Sequence, residues 1–145
     1  MRRAIAIEPA GPATDSVTLS FDDRHRRRLR LVTDGGEEVL LDLPAAIVLH
    51  NGDCLRLDDG RLLAVRAAAE EVMDIRATTP SALMRLAWHL GNRHTPTQIL
   101  DDCLRIRADH VLEGMLEGLG AMVERRHAPF DPEGGAYASG HGHDH

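Results

Sequence analysis

The sequence predicts an α+β protein in three parts. These are a small all-β domain over residues 1–70, a β-α-β-β-α-β domain over residues 71–130, and a disordered, histidine-containing tail over residues 131–145. Three observations support this division. Short runs of Val, Ile and Leu, separated by turn residues, fill the first half. Amphipathic helical patterns occur only after residue 79. The end of the chain is rich in Gly, Pro and His and has little apolar surface to bury.

Six segments of the first half have the composition of β-strands. Turn sequences such as Asn51-Gly52 separate them, and these suit the positive φ angles of tight hairpins. Because no stretch here has a sustained helical period, we predict a domain built from strands alone. The predicted strands cover residues 4–8, 16–20, 29–33, 38–43, 53–57 and 61–66.

The second half begins with a strand pattern over residues 71–76. Thr79 and Pro80 follow, and they are a typical N-cap and a typical first residue of a helix. Apolar residues at helical spacing predict one buried face. Gly91 is the expected C′ residue that ends this helix. The predicted apolar face consists of Leu83, Leu86, Ala87 and Leu90.

Two short strands are predicted next, over residues 98–101 and 103–107. Asp109 is the predicted N-cap of a second helix, which ends at Gly120 before a final strand over 121–126. The order β-α-β-β-α-β is that of ferredoxin-like domains. Each folded unit would have only about 60–70 residues, a size of marginal stability, so we expect two copies to associate. The second apolar face consists of Val111, Leu112, Met115, Leu116 and Leu119.

Composition and charge exclude several classes of function. The chain has 17 basic and 23 acidic residues and a formal charge of −6, whereas a general nucleic-acid-binding protein needs positive surface to displace phosphate counterions. Aromatic residues make up 3%, too few to stack single-stranded bases. No apolar run approaches the roughly 20 residues that cross a bilayer, and the amino terminus has no signal-peptide pattern. We expect a cytoplasmic protein that binds neither nucleic acid nor membranes.

The sequence contains no catalytic motif, and we expect that the protein is not an enzyme. A P-loop, an HExxH sequence and a nucleophile elbow are all missing. Cys54 and Cys103 belong to no CxxC pair, so we interpret both as small buried hydrophobic residues. The nine histidines are the more informative feature.

Three of the histidines lie in the last five residues, where they alternate with Gly or Asp. Imidazole suits Ni²⁺, Cu²⁺ and Zn²⁺, and a glycine-containing backbone lets several rings reach one ion. We predict loose, exchangeable metal binding at this end of the chain, with an inert solvated tail as the alternative. The predicted ligands are His141, His143 and His145.

Two other histidines lie at predicted helix ends. His94 follows the first helix and precedes Pro96, so a short, defined turn should hold it. One imidazole is not a metal site, but a two-fold axis would bring a second His94 beside the first. His110 lies in the first turn of the second helix, where a metal ligand and a solvent-facing residue are both open interpretations.

Five arginines occur within residues 24–30. On a strand, Arg26, Arg28 and Arg30 would share one face, which indicates a solvated face or an edge protected against pairing with another strand. A docking patch for an acidic partner is the alternative.

Three segments of the chain, residues 88–94, 109–116 and 128–137, together with the histidine-rich end, resemble the UreE family of urease accessory proteins. The resemblance spans most of residues 71–145, and the sequence Gly-Asn-Arg-His that ends at His94 is its most specific block. It implies a ferredoxin-like nickel-binding domain, a partner-binding β domain ahead of it, and a homodimer with Ni²⁺ at its interface.

The resemblance also implies roles for single residues. His94 corresponds to the central nickel ligand, supplied by both chains, and His110 to an auxiliary position. Ala108 stands where some members have the first histidine of a His-x-His pair, which weakens the case for a second site there. The implied function is a nickel metallochaperone that delivers Ni(II) to the urease accessory GTPase and the apo-urease complex. The tail histidines would raise its capacity.

Three other functions fit the same residues. A general buffer or storage protein for zinc, copper and nickel would use the same histidines. A metal-dependent hydrolase would need a carboxylate base beside an ion that one chain holds through several ligands. A metal-independent adaptor would act through the β domain.

Overall fold

A computed structural model gives the structure of residues 1–134. The chain divides into two compact units, Met1–Ala68 and Ala69–Glu133. The first unit is made of strands, and the second combines strands with two helices, so the predicted α+β class is confirmed. Within residues 1–134, neither helix has the length and apolar character that crossing a bilayer requires. Most of the predicted disordered tail lies outside the described residues.

The amino-terminal unit is a six-stranded sheet. Its strands are β1 (Arg2–Glu8), β2 (Asp15–Leu19), β3 (Arg28–Val32), β4 (Glu38–Asp42), β5 (Cys54–Leu57) and β6 (Leu62–Ala67). The order across the sheet is β2-β6-β5-β1-β4-β3. β1 runs parallel to β4 and β2 runs parallel to β6, while the other neighbours are antiparallel. A hydrogen bond from Asp34 N–H to Ser16 O, 2.8 Å long, links the edge strand β2 to the residues just after β3.

Alternation along the strands sends one set of side chains into a single apolar core. In β4, Val39 and Leu41 are fully buried, whereas Leu40 and Asp42 keep partial contact with solvent. The all-β character predicted for the first half is therefore confirmed. The largest side chains of this core are Leu19, Leu31, Leu41, Leu43, Leu49, Leu55, Leu57 and Leu63.

Arg24 is the one arginine of the 24–30 segment that lies inside this unit. It is fully buried, its Nε donates to Leu19 O at 3.2 Å, and its Nη1 donates to Leu49 O at 3.0 Å. Its guanidinium also lies 5.8 Å from the centre of the Phe21 ring. The predicted solvated strand face is confirmed for Arg28 and Arg30, which are exposed on β3, whereas Arg26 is exposed but lies before the strand begins. Arg24, whose burial was not predicted, links the end of β2 to the segment around Leu49.

The carboxyl-terminal unit has the predicted β-α-β-β-α-β order. Its elements are β7 (Ala69–Arg76), α1 (Pro80–Asn92), β8 (Gln98–Ile99), β9 (Leu104–Arg107), α2 (His110–Gly118) and β10 (Met122–Pro129). The sheet order is β10-β7-β9-β8, and every neighbouring pair is antiparallel. β9 therefore separates β7 from β8, as in a split βαβ unit. The predicted ferredoxin-like pattern is confirmed.

Both helices bury their apolar faces against this sheet. Thr79 caps α1 by accepting a hydrogen bond from Ala82 N–H at 3.0 Å, and Pro80 is the first helical residue, as predicted. Alternate residues of β7 and β9 meet the buried leucines of the helices. The core of this unit consists of Met73, Ile75, Leu86, Leu90, Leu104, Ile106, Leu116 and Ala121.

The second helix and the last strand of this unit differ from the sequence-based expectation. Val111 on α2 is 66% exposed and Leu119, its capping residue, is 47% exposed, because only the narrower stripe around Leu116 faces the sheet. The last strand also runs on to Pro129 rather than ending at residue 126. It continues because β7 offers pairing partners as far as Ala69.

Candidate metal centre

His94 occupies the first position beyond the capping residue of α1. The helix ends in a Schellman motif, in which His94 N–H donates to Gly91 O and Thr95 N–H donates to Leu90 O, each at 3.0 Å. The backbone of His94 is left-handed, with φ of 57°. Two main-chain hydrogen bonds therefore fix the turn around an exposed histidine. The prediction that a short, defined turn holds His94 is confirmed.

Gly91 does not end α1, contrary to the prediction. The helix continues to Asn92, and Arg93 N–H still donates to His89 O and Leu90 O at 3.2 Å. The left-handed position that usually carries glycine falls three residues later. Among residues 1–134, His94 is the one residue other than glycine with a positive φ.

The second helix of the same unit ends in the same motif with glycine in the equivalent position. Gly120 has φ of 91°, its N–H donates to Glu117 O, and Ala121 N–H donates to Leu116 O, both at 3.0 Å. The capping residues also match, with φ of −92° in α1 and −91° in α2. A β-carbon in this conformation costs about 1–2 kcal/mol. That cost points to a role for the imidazole of His94.

Replacing His94 by glycine is expected to raise the free energy of unfolding of this unit by about 1 kcal/mol, because glycine removes the β-carbon from a left-handed position. Urea unfolding, followed through the exchange of α1 amide protons, measures the change. The matched control is Gly120→Ala, which places a β-carbon in open space at the same turn of α2 and should lower stability. A less stable His94→Gly protein would mean that the imidazole makes contacts worth more than the backbone cost.

Large apolar side chains lie exposed on the helix that leads to His94. Met84 is 68% exposed and Trp88, one turn later, is 64% exposed. The Trp88 ring stands edge-on to the ring of His89, with 5.2 Å between the centroids. Exposed apolar groups that cluster on one face mark an interaction surface more often than single ones do. We call Met84 and Trp88 the exposed face of α1.

The residues after β10 lie against the segment that follows His94. Glu133 N–H donates to Thr97 O at 2.8 Å, and the Glu133 carboxylate accepts from Ile99 N–H at 3.3 Å. Asp131 N–H donates to Gln98 Oε1 at 3.0 Å. The predicted disorder therefore does not begin at residue 131. Local composition contains no signal for these bonds, because the two segments meet only through the fold.

His110 is the first residue of α2 and is exposed. The predicted cap is confirmed, since the Asp109 carboxylate accepts from Val111 N–H at 2.9 Å and from Leu112 N–H at 3.1 Å. His94 and His110 thus lie at the end of one helix and at the start of the other. Within residues 1–134, no group of three or more His, Cys, Asp or Glu side chains is arranged to hold a metal ion. The other predicted ligands lie outside the described residues; they are His141, His143 and His145.

Both cysteines are buried, which confirms their interpretation as small hydrophobic residues. Burial raises the pKa of the Cys103 thiol, and the nearby Asp74 carboxylate raises it further. A thiol that keeps its proton is a poor metal ligand and a poor nucleophile. Cys103 is therefore no candidate for the site.

A buried ion cluster, which no local sequence pattern indicates, lies on the sheet face opposite the helices. Asp74 of β7 is 1% exposed and accepts hydrogen bonds from Arg105 Nε at 2.7 Å, Arg105 Nη2 at 3.0 Å and Arg126 Nη1 at 3.1 Å. Arg105 also donates to Pro129 O at 3.1 Å. The hydrogen bonds and charge of Arg105, with a smaller effect of Arg126, hold the pKa of Asp74 below its usual value. This cluster links β7, β9 and β10 on the face of the sheet away from the helices.

Comparison with known proteins covers both units. Residues 2–68 match the family model for the N-terminal domain of the UreE urease accessory protein, and residues 70–145 match that for its C-terminal domain. Similar curated proteins, each named "Urease accessory protein UreE", come from two Bradyrhizobium strains and from Rhodobacter capsulatus. The protein from Bradyrhizobium strain ORS 278 is 63% identical to this chain over 126 residues, and the protein from strain BTAi1 is 59% identical over 135 residues. The protein from Rhodobacter capsulatus is 52% identical over 150 residues.

These alignments cover 87%, 91% and 100% of this chain and 60%, 66% and 94% of the respective relatives. The chain therefore spans less than two thirds of the length of the Bradyrhizobium proteins. Both family models match in chain order, and together they take in nearly every residue. The chain belongs to the UreE urease accessory protein family.

Proposed function

We propose that the protein is a nickel metallochaperone, which carries Ni(II) and hands it to the machinery that assembles the urease metallocentre. Family membership supports a role in urease maturation. The observation that carries the nickel proposal is the exposed His94 on a turn with a fixed, left-handed backbone. A carrier needs a ligand that is held in place and yet open to solvent, and His94 combines both properties.

A homodimer would complete the proposed site. A two-fold axis near the end of α1 would set the His94 imidazole of each copy around one ion. Two protein ligands leave coordination positions for water or for the ligands of a partner. The ion could then be transferred to a partner by ligand exchange, whereas a closed site with four protein ligands would hinder this transfer. The carbonyl end of each α1 helix also carries partial negative charge, which favours a cation nearby.

The exposed face of α1 is the surface that we expect the second copy to cover. Met84 and Trp88 lie on the helix that ends at His94, so an interface there would bring the two His94 residues together. Full burial of such a side chain contributes roughly 1.5–3 kcal/mol, and aromatic residues and Met are enriched at interfaces. The small size of each unit gives a further reason for association.

The tail histidines are proposed as additional, exchangeable ligands. They lie eight to twelve residues beyond Glu133, whose N–H is bonded to Thr97 O. Eight extended residues span at most about 28 Å, so the tail is long enough to reach the end of α1. His110 is proposed as an auxiliary ligand because it is exposed at a helix start. The urease accessory GTPase and apo-urease, as receivers, and a cytoplasmic location stay predictions.

A buffer for zinc or copper is the second candidate. Its support is the same exposed imidazole, since nitrogen ligands bind Cu²⁺ more tightly than Ni²⁺ and also bind Zn²⁺. Affinity alone therefore cannot select nickel, and selection would depend on metal supply and on the receiving partner.

Equilibrium nickel titration with parallel mass measurement tests the proposal. The two proteins compared are the full chain and a chain that ends at Glu133. We expect the shorter chain to bind fewer ions and to keep one Ni²⁺ per dimer. Competition with Zn²⁺ and Cu²⁺ in the shorter chain separates the two candidates. A shorter chain that binds zinc or copper but no nickel would favour the buffer.

A further inference from the structure

The edge strand β3 of the amino-terminal sheet presents main-chain groups that the sheet itself does not use. Leu43 N–H donates to Arg27 O at 2.9 Å, and Thr33 N–H donates to Glu37 O at 2.8 Å. These bonds flank β3, and hydrogen-bonded pairs alternate along an antiparallel ladder. By this alternation, the main-chain N–H and C=O groups of three residues in β3 point away from β4. The three residues are Arg28, Arg30 and Val32.

These outward groups have no main-chain partner within residues 1–134. The link between the two edges of the sheet is made by Asp34, beyond the end of β3. Val32, at the end of the strand, is 62% exposed. An unpaired edge of this kind is a template for another extended segment.

Positive charge exceeds negative charge on the outer face beside this edge. Asp42 accepts a hydrogen bond from one arginine and lies 3.6–3.9 Å from two more, so three guanidinium groups share one carboxylate. Arg30 has no ion pair within the described part of the chain. Two more carboxylates lie at the far end of the strand: Glu38 opposite Val32, and Asp34 just beyond it, which accepts hydrogen bonds from the Ser16 and Thr18 hydroxyls of β2 at 2.6 and 3.1 Å. The cations of this face are Arg3, Arg27, Arg28 and Arg30.

The charges decide between the possible occupants of the edge. A second copy of β3 would set arginines against arginines across the new pair, and facing like charges are destabilising. Nucleic acid is disfavoured because the chain has a formal charge of −6 and only four aromatic residues. An extended segment with carboxylates at alternate positions would meet Arg28 and Arg30 with its side chains and β3 with its main chain.

We propose that β3 binds an extended acidic segment of a partner protein by strand addition. Main-chain hydrogen bonds supply part of the affinity, and the carboxylates select the segment and set its register. The proposed carrier role bears on this inference in one respect: it suggests that the partner belongs to the urease maturation machinery. Binding at β3 uses no metal and no residue of the candidate metal centre, so failure of one proposal leaves the other intact.

Fluorescence anisotropy of the metal-free full chain tests this, with a labelled octapeptide of alternating Glu and Val as the probe. Arg30→Glu is the main variant, because Arg30 has no ion pair to lose in the described residues, and it is expected to weaken binding about tenfold. Arg28→Gln should weaken binding less. The matched control is Arg66→Glu on β6, an exposed arginine on a strand paired on both sides, which should change binding less than twofold.

Two further measurements separate strand addition from charge attraction. A peptide with N-methylated alternate residues keeps its charge but cannot pair, and it should bind about tenfold more weakly. Exchange of the Arg28, Arg30 and Val32 amide protons should slow when the unmodified peptide binds. Equal binding of both peptides, or equal losses in Arg30→Glu and Arg66→Glu, would overturn the proposal. Stronger Arg30-dependent binding of an RNA oligonucleotide or of anionic vesicles would also overturn it.

Discussion

A chain that ends at Glu133 is expected to lose its last bound nickel when His94 is replaced by alanine. The truncation removes the tail imidazoles, so the proposed site then depends on one side chain from each copy. Alanine leaves two water-filled positions where two nitrogen ligands would have been, and nickel affinity should fall by more than the roughly 10–100-fold that loss of an outer-shell partner costs. Isothermal titration and mass measurement of the metal-loaded protein record the loss. The expected change is from one ion per dimer to none.

Two controls test whether the loss of nickel is specific to the His94 side chain. His110→Ala in the same truncated chain should keep the ion, because His110 lies at the start of the other helix. Circular dichroism and dimer mass should be unchanged in His94→Ala, since its side chain is exposed. Nickel that stays bound at full affinity without His94 would disprove the proposed site. A dimer that dissociates would instead show that His94 holds the interface.

Replacement of Asp74 by asparagine is expected to lower the free energy of unfolding of the carboxyl-terminal unit by about 3–5 kcal/mol. Asparagine keeps the shape of the side chain but removes the charge, so Arg105, which is 9% exposed, loses its ion partner inside the protein. The loss is large against the total stability of a small unit. Urea unfolding measured by exchange of the β7 amide protons tests this. The single tryptophan, Trp88, gives a second signal from the same unit.

The matched control for Asp74→Asn is Glu124→Gln on the neighbouring strand. The ion pair of Glu124 with Arg76 is exposed at both ends, and such pairs contribute at most about 1 kcal/mol. We therefore expect a small change in this variant. If the two variants lose equal amounts of unfolding free energy, the buried Asp74 cluster stabilises the unit no more than the exposed ion pair does.

Acid should lower the free energy of unfolding of the original carboxyl-terminal unit by protonating Asp74. The pKa of Asp74 is lower in the folded protein than its ordinary value, mainly because of hydrogen bonds from Arg105. A lowered pKa means that the stabilisation is fully present above the unfolded pKa of about 3.9 and is lost as pH falls through the folded pKa. The difference between the original protein and Asp74→Asn should therefore shrink below about pH 4. A difference that stays constant into acid would contradict this assignment.

The sequence predicted those features that depend on near neighbours along the chain. Strand alternation, apolar residues at helical spacing and the caps at Thr79 and Asp109 are local, and each appears in the structure. The turn that holds His94 was predicted for the same reason. Its geometry was not, because glycine preference placed the end of α1 at Gly91. The main-chain hydrogen bonds continue to Arg93 and leave the left-handed position to His94.

Contacts between distant parts of the chain determine which charged residues are buried and which segments meet. Asp74 bonds to Arg105 and Arg126 across 31 and 52 positions of sequence, and each of the three sits at a strand position that alternation alone would assign to solvent. Arg24 is held inside the first unit in a similar way, by the carbonyl group of Leu49, 25 positions away in sequence, together with that of Leu19 at the end of β2. The amino-acid pattern fixes the period of an element and therefore its two faces. What covers each face, and whether a charge there finds a partner, depends on strand order and on contacts between residues far apart in the chain.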